Sequence, residues 1–568
     1  MSQKQSKWIL AEVPEIPPDA DSSMPAILVR MLLQRGVQIG DMERFLHPKL
    51  GALQDPFLLP DMEPAVTRIL KAVDEGEEVC VYGDYDVDGI TSVTLLTTVL
   101  RGYGVSVRDF IPRRGPEGYG LNDEALKRCM SEGVKPDLMI TVDCGTASLD
   151  EILALKAEGV DVIVVDHHEL SPEGKPDCVA VINPKCAPES ECPFEYLCAA
   201  GVVFKLAHAL LKTRAIEGFD LRHYLDLVAM ATVSDIVPLV EENRLLVRHG
   251  LKRMAHSSNP GIRALMEIAQ VKAPVTSADV GFRIGPRINA AGRMDKPEDA
   301  LAMLITGDDA EAQNMATQLD SHNRARQAEE MRINKEAIQR LEEEHDSSEP
   351  VIVLGSRDWH PGVVGIVASR MMRRYHKPAF IIAIDDHGVG KGSGRSIRGV
   401  SLMDAINANR DLLIAGGGHA MAAGISVEEG NIDKFRSAFA KYVSENTDDD
   451  DLLPRMHIDA EISLGELSLE FLGSYELLQP FGSANPEPVF MSRGVELTDP
   501  PRELKNHHLK LSMQQDGDWQ EAMFFGAGQR ELPDWQKPWD IAYTINRNTF
   551  RGRTSLQLII QDVRPNQA

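Results

Sequence analysis

The sequence predicts an α/β protein of several domains: a doubly wound parallel sheet, then a smaller α/β unit, then an all-β barrel. Three observations carry this. Short Val/Ile-rich runs alternate with helical stretches from about residue 60 to 240, as in a parallel sheet whose strands are buried on both faces. The α/β alternation resumes after a long polar helical stretch, and the last hundred residues or so turn to period-two alternation split by turns. At 568 residues the chain is also too long for one core, so about three domains are expected.

Residues 1–60 read as an N-terminal extension and 61–299 as the first domain. Its strands are expected at 78–82, 105–111, 137–142, 160–165 and 179–182, with helices such as Ile90–Leu100, Glu124–Glu132 and Leu149–Glu158 between them. In such sheets ligands bind outside the carboxyl ends of the strands. Residues 300–345 are polar, charged and helical in period, which predicts a solvated connecting helix. The second α/β unit, 346–446, holds strand-like Val351–Leu354 and Ala379–Ala383, a Gly-rich stretch and a helix near 431–443. TDDDDLLP (447–454), an acidic run ending in proline, predicts a linker. Over 455–568, HHLKLSM, QEAMFFGA, DIAYTIN and TSLQLIIQDV supply short strands that fit a small barrel such as an OB-fold.

Composition is that of an ordinary soluble protein, 43% hydrophobic and 26% charged. No apolar run approaches the ~18 residues a spanning helix needs, and MSQKQSKWIL lacks a secretory core, so a cytoplasmic chain without a membrane segment is expected. Seven cysteines in apolar surroundings suit reduced thiols better than a disulfide framework. CVAVINPKCAPESECPFEYLC, from Cys178 through Cys186 and Cys192 to Cys198, has no CxxC pair, which favours loop and core cysteines over zinc. The net charge of −26 argues on average against a nucleic-acid partner, but an acidic body with a basic channel is compatible with one, so local arginine clusters decide.

The chemistry lies at the strand ends. GDYDVDG (83–89) crowds Asp84, Asp86 and Asp88 together directly after the first strand. The third strand ends at Asp143, the fourth at Asp166, His167 and His168, and Asp235 follows a helix-like segment. Parallel strands bring their carboxyl ends to one edge, where these carboxylates would repel one another unless positive charge sits among them. Many carboxylates with about one imidazole suit Mn²⁺ or Mg²⁺. Four or five carboxylates exceed the needs of one ion and point to two ions about 3.5–4 Å apart, the arrangement that hydrolyses phosphate esters. An EF-hand-like loop is the alternative for DxDxDG, but no glutamate stands at loop position twelve. GVGKGS mimics a P-loop, yet Gly392 follows Lys391 where Ser or Thr is required.

GDYDVDG, VDCG, VVDHH and VSD resemble, in order and spacing, the DHH phosphoesterase superfamily. RIGPRINAAGR (283–293), WHPGVVGIVASR (359–370), GKGSGRS (390–396) and GGGHAMAAG (416–424) look like its RecJ branch, bacterial exonucleases specific for single strands and running 5′→3′. The resemblance implies a DHH domain, a DHH-associated domain and an OB-fold, acting in DNA repair and recombination and releasing nucleoside 5′-monophosphates with two Mn²⁺ or Mg²⁺ ions. It makes Asp86, Asp88, Asp143, His167 and Asp235 the metal ligands, with Asp143 as bridge, and His168 a neighbouring group or phosphate contact. Asp84 is either an outer ligand or a turn residue. Arg114 and Tyr119 would hold the 5′ end, Ser393 and Arg395 the 5′-phosphate, Arg287, Asn289 and Arg293 the entering strand, and His419 would sit close to the scissile phosphate. Implied partners are single-stranded DNA, single-strand binding protein and a RecQ-type helicase, for a monomer. Small members of the superfamily cut short oligonucleotides or cyclic dinucleotides; the PRINAAGR segment and barrel favour a longer strand. In the barrel, Lys505, Lys510, Arg547, Arg551 and Arg553, with Phe550 between arginines, are candidate strand contacts, against the alternative of an ordinary hairpin.

Overall fold

A computed structural model describes residues 6–18, 24–113, 117–118, 120–187, 192–293, 296–344, 348–448, 450–528, 530–550 and 552–566. They form two compact units: Glu43–Ala325 with Leu478–Pro486, and Met1–Met42 with Arg326–Leu477 and Glu487–Ala568.

The first unit is built on five strands, β1 (Val79–Tyr82), β2 (Val107–Phe110), β3 (Leu138–Val142), β4 (Asp161–Val165) and β5 (Ala180–Ile182), in the order β2-β1-β3-β4-β5 and parallel throughout. Each falls within two residues of its predicted span, because predominantly apolar runs such as Val79–Tyr82 and Leu138–Val142 are stable only where both faces are covered. The expected helices are present as Val87–Gly102, Asp123–Ser131 and Leu149–Ala157. Helix Leu225–Ser234, which ends at Asp235, crosses helix Glu241–Met254 at Gly250, where a Cβ would lie 2.2 Å from the Leu225 carbonyl oxygen.

The polar stretch after residue 300 departs from the solvated helix expected. Helix Asp309–Glu344 is 36 residues long and carries a buried stripe. Ala312, Ala316 and Leu319 join the core of the first unit, while Ile333, Ala337 and Leu341 join an apolar cluster of the second. Their three- and four-residue spacing was hidden among charges, several of them paired along the helix, as Arg326 is with Glu330 at 2.8 Å.

In the second unit, β6 (Ile352–Ser356), β7 (Ala379–Ile384), β8 (Val389–Arg395), β9 (Ala415–Gly418) and β10 (Ala422–Glu428) form a sheet in the order β9-β10-β8-β7-β6. Only the β6–β7 pair is parallel. The Gly-rich stretch read from the sequence is thus three strands. Glycine weakens strands, but a Cβ on Gly394 would lie 2.4 Å from the ring of its cross-strand partner Phe380, so the large neighbour demands the small residue.

The barrel has β11 (Phe490–Leu497), β12 (Leu509–Gln515), β13 (Asp518–Phe524), β14 (Trp539–Phe550) and β15 (Arg553–Pro565). Pairing runs β11-β12-β13-β15-β14 and closes from β14 back to β11, with the β13–β15 pair parallel. Five strands closed in this way form an OB-fold. Within the N-terminal extension, Lys7–Leu10 pairs in parallel with Arg455–Ile458.

Replacing Gly250 by alanine should push apart the two helices that place Asp235. Overpacking of this kind costs roughly 1–3 kcal/mol. The expected result is a lower midpoint of thermal unfolding; an unchanged midpoint would show that the crossing yields without cost.

Candidate metal centre

Asp86 is the N-cap of helix Val87–Gly102: its Oδ1 accepts from the amides of Asp88 at 2.9 Å and Gly89 at 3.1 Å. The start of the helix is drawn tightly against the loop, since a Cβ on Gly89 would lie 2.3 Å from the Asp84 carbonyl oxygen. Asp88, one residue into the helix, is buried, and its two oxygens accept from the amides of Ala199 and Ala200, both at 2.8 Å, at the N-terminus of helix Ala199–Thr213. Asp143 leaves the end of β3 in the left-handed region with φ 61°, a conformation aspartate tolerates better than most residues. Gly145 follows at φ 110°, with room for a Cβ denied by Thr141 Oγ1 at 2.7 Å. Asp235 caps the end of its helix.

These elements bring the predicted ligands together. His167 Nε2 lies 3.4 Å from Asp143 Oδ1, 3.6 Å from Asp235 Oδ2 and 3.7 Å from Asp88 Oδ2. Oxygens of Asp84, Asp86 and Asp143 lie within 4.8 Å of one another, as do ligand atoms of Asp88, His167 and Asp235, and of Asp143, His167 and His168. Asp143 and His167 each belong to two of these groups.

The electrostatics follow from burial of like charges. Burial, then Asp86, raises Asp88 to about 7; burial, then Asp88 and Asp86, raises Asp235 to about 8. Asp143 is pushed well above the carboxylate range by burial and by Asp88, Asp86 and Asp84. Burial and the neighbouring His168 lower His167 to about 4, so its imidazole is neutral. Its Nε2 is buried and has no hydrogen-bond partner, yet three carboxylate oxygens surround it. A buried, neutral imidazole nitrogen with carboxyl oxygens on three sides, together with the further oxygens of Asp84 and Asp86, is a donor set that fits divalent metal.

One functional group lay in view without a role. Burial opposes the charge on Asp166, but the bond from His168 Nδ1 at 2.8 Å and the Thr146 amide at 3.0 Å hold its carboxyl well below the usual range. In return, although burial opposes its charge, His168 is raised to about 9 by Asp166. An acidic residue directly before two histidines was the available signal, since metal-site imidazoles are commonly oriented by a carboxylate. The backbone amides of Ala199 and Ala200 left no signal in side-chain identity.

The remaining candidates divide. Arg114, Tyr119 and Arg551 lie outside the described residues, as does the side chain of Phe550. Asn289 Oδ1 accepts from the Val87 amide at 3.1 Å, which places it beside the metal loop. Arg287 pairs with buried Asp320 at 2.9 Å and bonds the Arg283 carbonyl, while Arg293 ends helix Gly285–Arg293 half-buried.

In the other unit, Ser393 Oγ and Arg395 Nη2 converge on Gly365, where a Cβ would sit 3.2 and 3.6 Å from them. Gly365 opens helix Val364–Tyr375, whose N-terminus has no side-chain cap. Arg395 is half-buried, burial lowers its basicity, and no carboxylate among the described residues pairs with it. His419 is exposed at the tip of the β9–β10 hairpin. His360, undecided from the sequence, accepts from the Gly362 amide at 3.1 Å and shapes a turn. Cys192 and Cys198 are buried, and Cys178 and Cys186 pack against an apolar cluster. Lys510 pairs with Glu521 at 2.6 Å and Arg547 with Glu476, leaving less free positive charge on the barrel than its sequence suggests.

Raised carboxyls mean that the cation-free centre holds protons at neutral pH which a metal must displace. Titrating Mn²⁺ at pH 7 should release protons, and affinity should fall as pH drops below the raised values of Asp88 and Asp235. Calorimetry in two buffers of different ionisation enthalpy measures this; identical heats in both would contradict it.

The chain matches the family models for the DHH family N-terminal domain over residues 78–232, the DHHA1 domain over 348–445 and the RecJ OB domain over 458–562. It is 36% identical to the single-stranded-DNA-specific exonuclease RecJ of Dickeya dadantii, covering 96% of each chain, and 34% identical to that of Escherichia coli, covering 96% of this chain and 97% of the other. The crystal structure of RecJ in complex with Mn²⁺ from Thermus thermophilus superposes with a TM-score of 0.84 at 29% identity, over 99% of this chain and 80% of the other. Domain order, strand-end carboxylates and full-length identity agree: the chain belongs to the RecJ family of single-stranded-DNA-specific exonucleases.

Proposed function

We propose that the protein degrades single-stranded DNA from its 5′ end, releasing nucleoside 5′-monophosphates, with two Mn²⁺ or Mg²⁺ ions held by Asp86, Asp88, Asp143, His167 and Asp235. The observation that carries this reading is the buried, unpartnered Nε2 of neutral His167 among three carboxylate oxygens. Bound cations would supply a nucleophile at neutral pH and charge neutralisation at the attacked phosphoryl group. The protein's part is preorganisation. The helix cap on Asp86 and the amides on Asp88 hold ligand oxygens in place before any ion binds. Asp143, shared between two ligand groups, is the proposed bridge. His168, kept protonated by Asp166 through Nδ1, would donate from Nε2 to a phosphoryl oxygen.

For the 5′-phosphate we propose the pocket of Ser393, Arg395 and the start of helix Val364–Tyr375. A helix N-terminus and a half-buried guanidinium without a carboxylate together favour a phosphate dianion. Arg114 and Tyr119 would complete end recognition, and Arg293 and His419 would contact the strand. Asn289 and Arg287 would act by bracing the metal loop and its helix as well as by touching DNA. The barrel offers Trp519 and Phe525, each 54% exposed, as stacking surfaces for a longer strand. A cytoplasmic monomer served by single-strand binding protein and a RecQ-type helicase completes the proposal; its support is family membership, with unpaired cysteines in keeping. Among the described residues, no helix is long and apolar enough to cross a membrane.

Asp143→Ala should abolish hydrolysis while circular dichroism stays native, because loss of a bridging carboxylate frees both ions. A variant that still binds two Mn²⁺ per chain and cuts DNA would end the bridging assignment. Arg395→Ala should reduce the preference for 5′-phosphorylated over 5′-hydroxyl strands by about 1.5–3 kcal/mol. An equal loss on both substrates would reassign Arg395 to general backbone binding.

A further inference from the structure

A fully buried amide side chain stands at the carboxyl end of β5, outside the ligand set. Asn183 directly follows Ile182, the last residue of that strand. Its Nδ2 donates to the His168 carbonyl oxygen and to Thr146 Oγ1, both at 2.9 Å, and its Oδ1 accepts from the Lys185 amide at 2.9 Å. A carbonyl only accepts and an amide N–H only donates, so these partners fix which way the Asn183 side chain points. An ionised aspartate in its place would have no donor for the His168 carbonyl.

What this side chain holds is the Asp166–His168 loop at the end of β4. Within the loop, Asp166 Oδ1 accepts from the amides of His167 at 2.7 Å and His168 at 3.2 Å, and bonds His168 Nδ1 at 2.8 Å. The loop is therefore stiff in itself, and its attachments to neighbouring strands set where it sits. One tie runs from the Thr146 amide to Asp166 Oδ2 at 3.0 Å, and a second from Asn183 Nδ2 to the His168 carbonyl. Both ties meet at Asn183, because the same nitrogen also bonds the Thr146 hydroxyl. Lys185 Nζ reaches back to Glu169, next to His168, at 2.6 Å, but Glu169 is largely exposed and the ion pair adds little. The buried amide is the rigid member of the frame.

We propose that Asn183 is a positioning residue for hydrolysis, aiming the His168 ring at the phosphoryl oxygen by fixing the loop through both the His168 carbonyl and Thr146. It acts through His168 and contacts neither metal nor DNA, so the proposal rests on the exonuclease reading above and on the donor role given there to His168. Misplacing a positioned group by about 1 Å can cost on the order of a hundred-fold in rate. Losing a partner that orients a metal-site side chain typically costs roughly ten- to a hundred-fold.

The test measures kcat and KM of the full chain at saturating Mn²⁺ on a 5′-phosphorylated single strand. Asn183→Ala should lower kcat roughly ten- to a hundred-fold with KM unchanged, and excess Mn²⁺ should not restore it. Thr146→Val, which keeps the shape and removes the acceptor, should show the same split more weakly, and Thr146→Ser, which keeps the hydroxyl, should be faster than Thr146→Val. In a His168→Ala background, Asn183→Ala should cost nothing further, as for two residues that act as one unit. Losses that multiply would overturn the proposal and make Asn183 a general support of the domain, and a loss reversed by excess Mn²⁺ would move its task to His167 and the metal. If circular dichroism shows Asn183→Ala unfolded, or His168→Ala is too slow to measure, the Thr146 pair decides: equal kcat in the valine and serine variants would end the proposal. A wild type that cuts no DNA would remove the exonuclease reading, and the proposal with it.

Discussion

Carboxylates crowded at the carboxyl edge of β1, β3 and β4 repel one another, and the architecture around them answers that repulsion. Two unit charges about 4 Å apart oppose each other by roughly 4 kcal/mol at the effective dielectric of a protein site. A hydrogen bond to a charged group contributes about 1.5–3 kcal/mol, so the amides of Ala199 and Ala200 on Asp88 offset about one such repulsion. Asp86 is steadied as a helix cap, and Asp166 by His168 and Thr146. What the protein does not neutralise is left for cations: Asp88, Asp143 and Asp235 stay raised, and His167 stays neutral among oxygens.

Holding that tension requires a rigid surround. The apolar core of the first unit runs beneath the metal loop through Val81, Val87, Ile90 and Val93. Close approaches at Gly89, Gly145 and Gly250 leave no slack at the helix start, the β3 turn or the helix crossing behind Asp235. Asn289 ties the PRINAAGR helix to the Val87 amide.

The net charge of −26 poses a problem for a DNA enzyme that local arrangement resolves. Arg547 and Lys510 on the barrel are already paired, whereas Arg395 lies by a helix N-terminus and pairs with no carboxylate among the described residues. On the barrel, Trp519 and Phe525 are each 54% exposed.

By itself the sequence determined the parallel sheet, the positions of Asp86, Asp88, Asp143 and His167 after its strands and of Asp235 after a helix, and the barrel. All of these are written in local periodicity and in residue types that few other arrangements accommodate. Tertiary structure alone decided the rest. The strands of the Gly-rich stretch exist because Phe380 and Ile382 lie across from Gly394 and Gly392, a relation invisible to strand propensity. The stripe along helix Asp309–Glu344 was masked by charges that pair with one another. Asp166 orients His168, and two backbone amides hold Asp88, because distant segments meet there. Side-chain identity records which groups a chain possesses; the state of each, charged or neutral, paired or waiting for a cation, depends on neighbours that folding supplies.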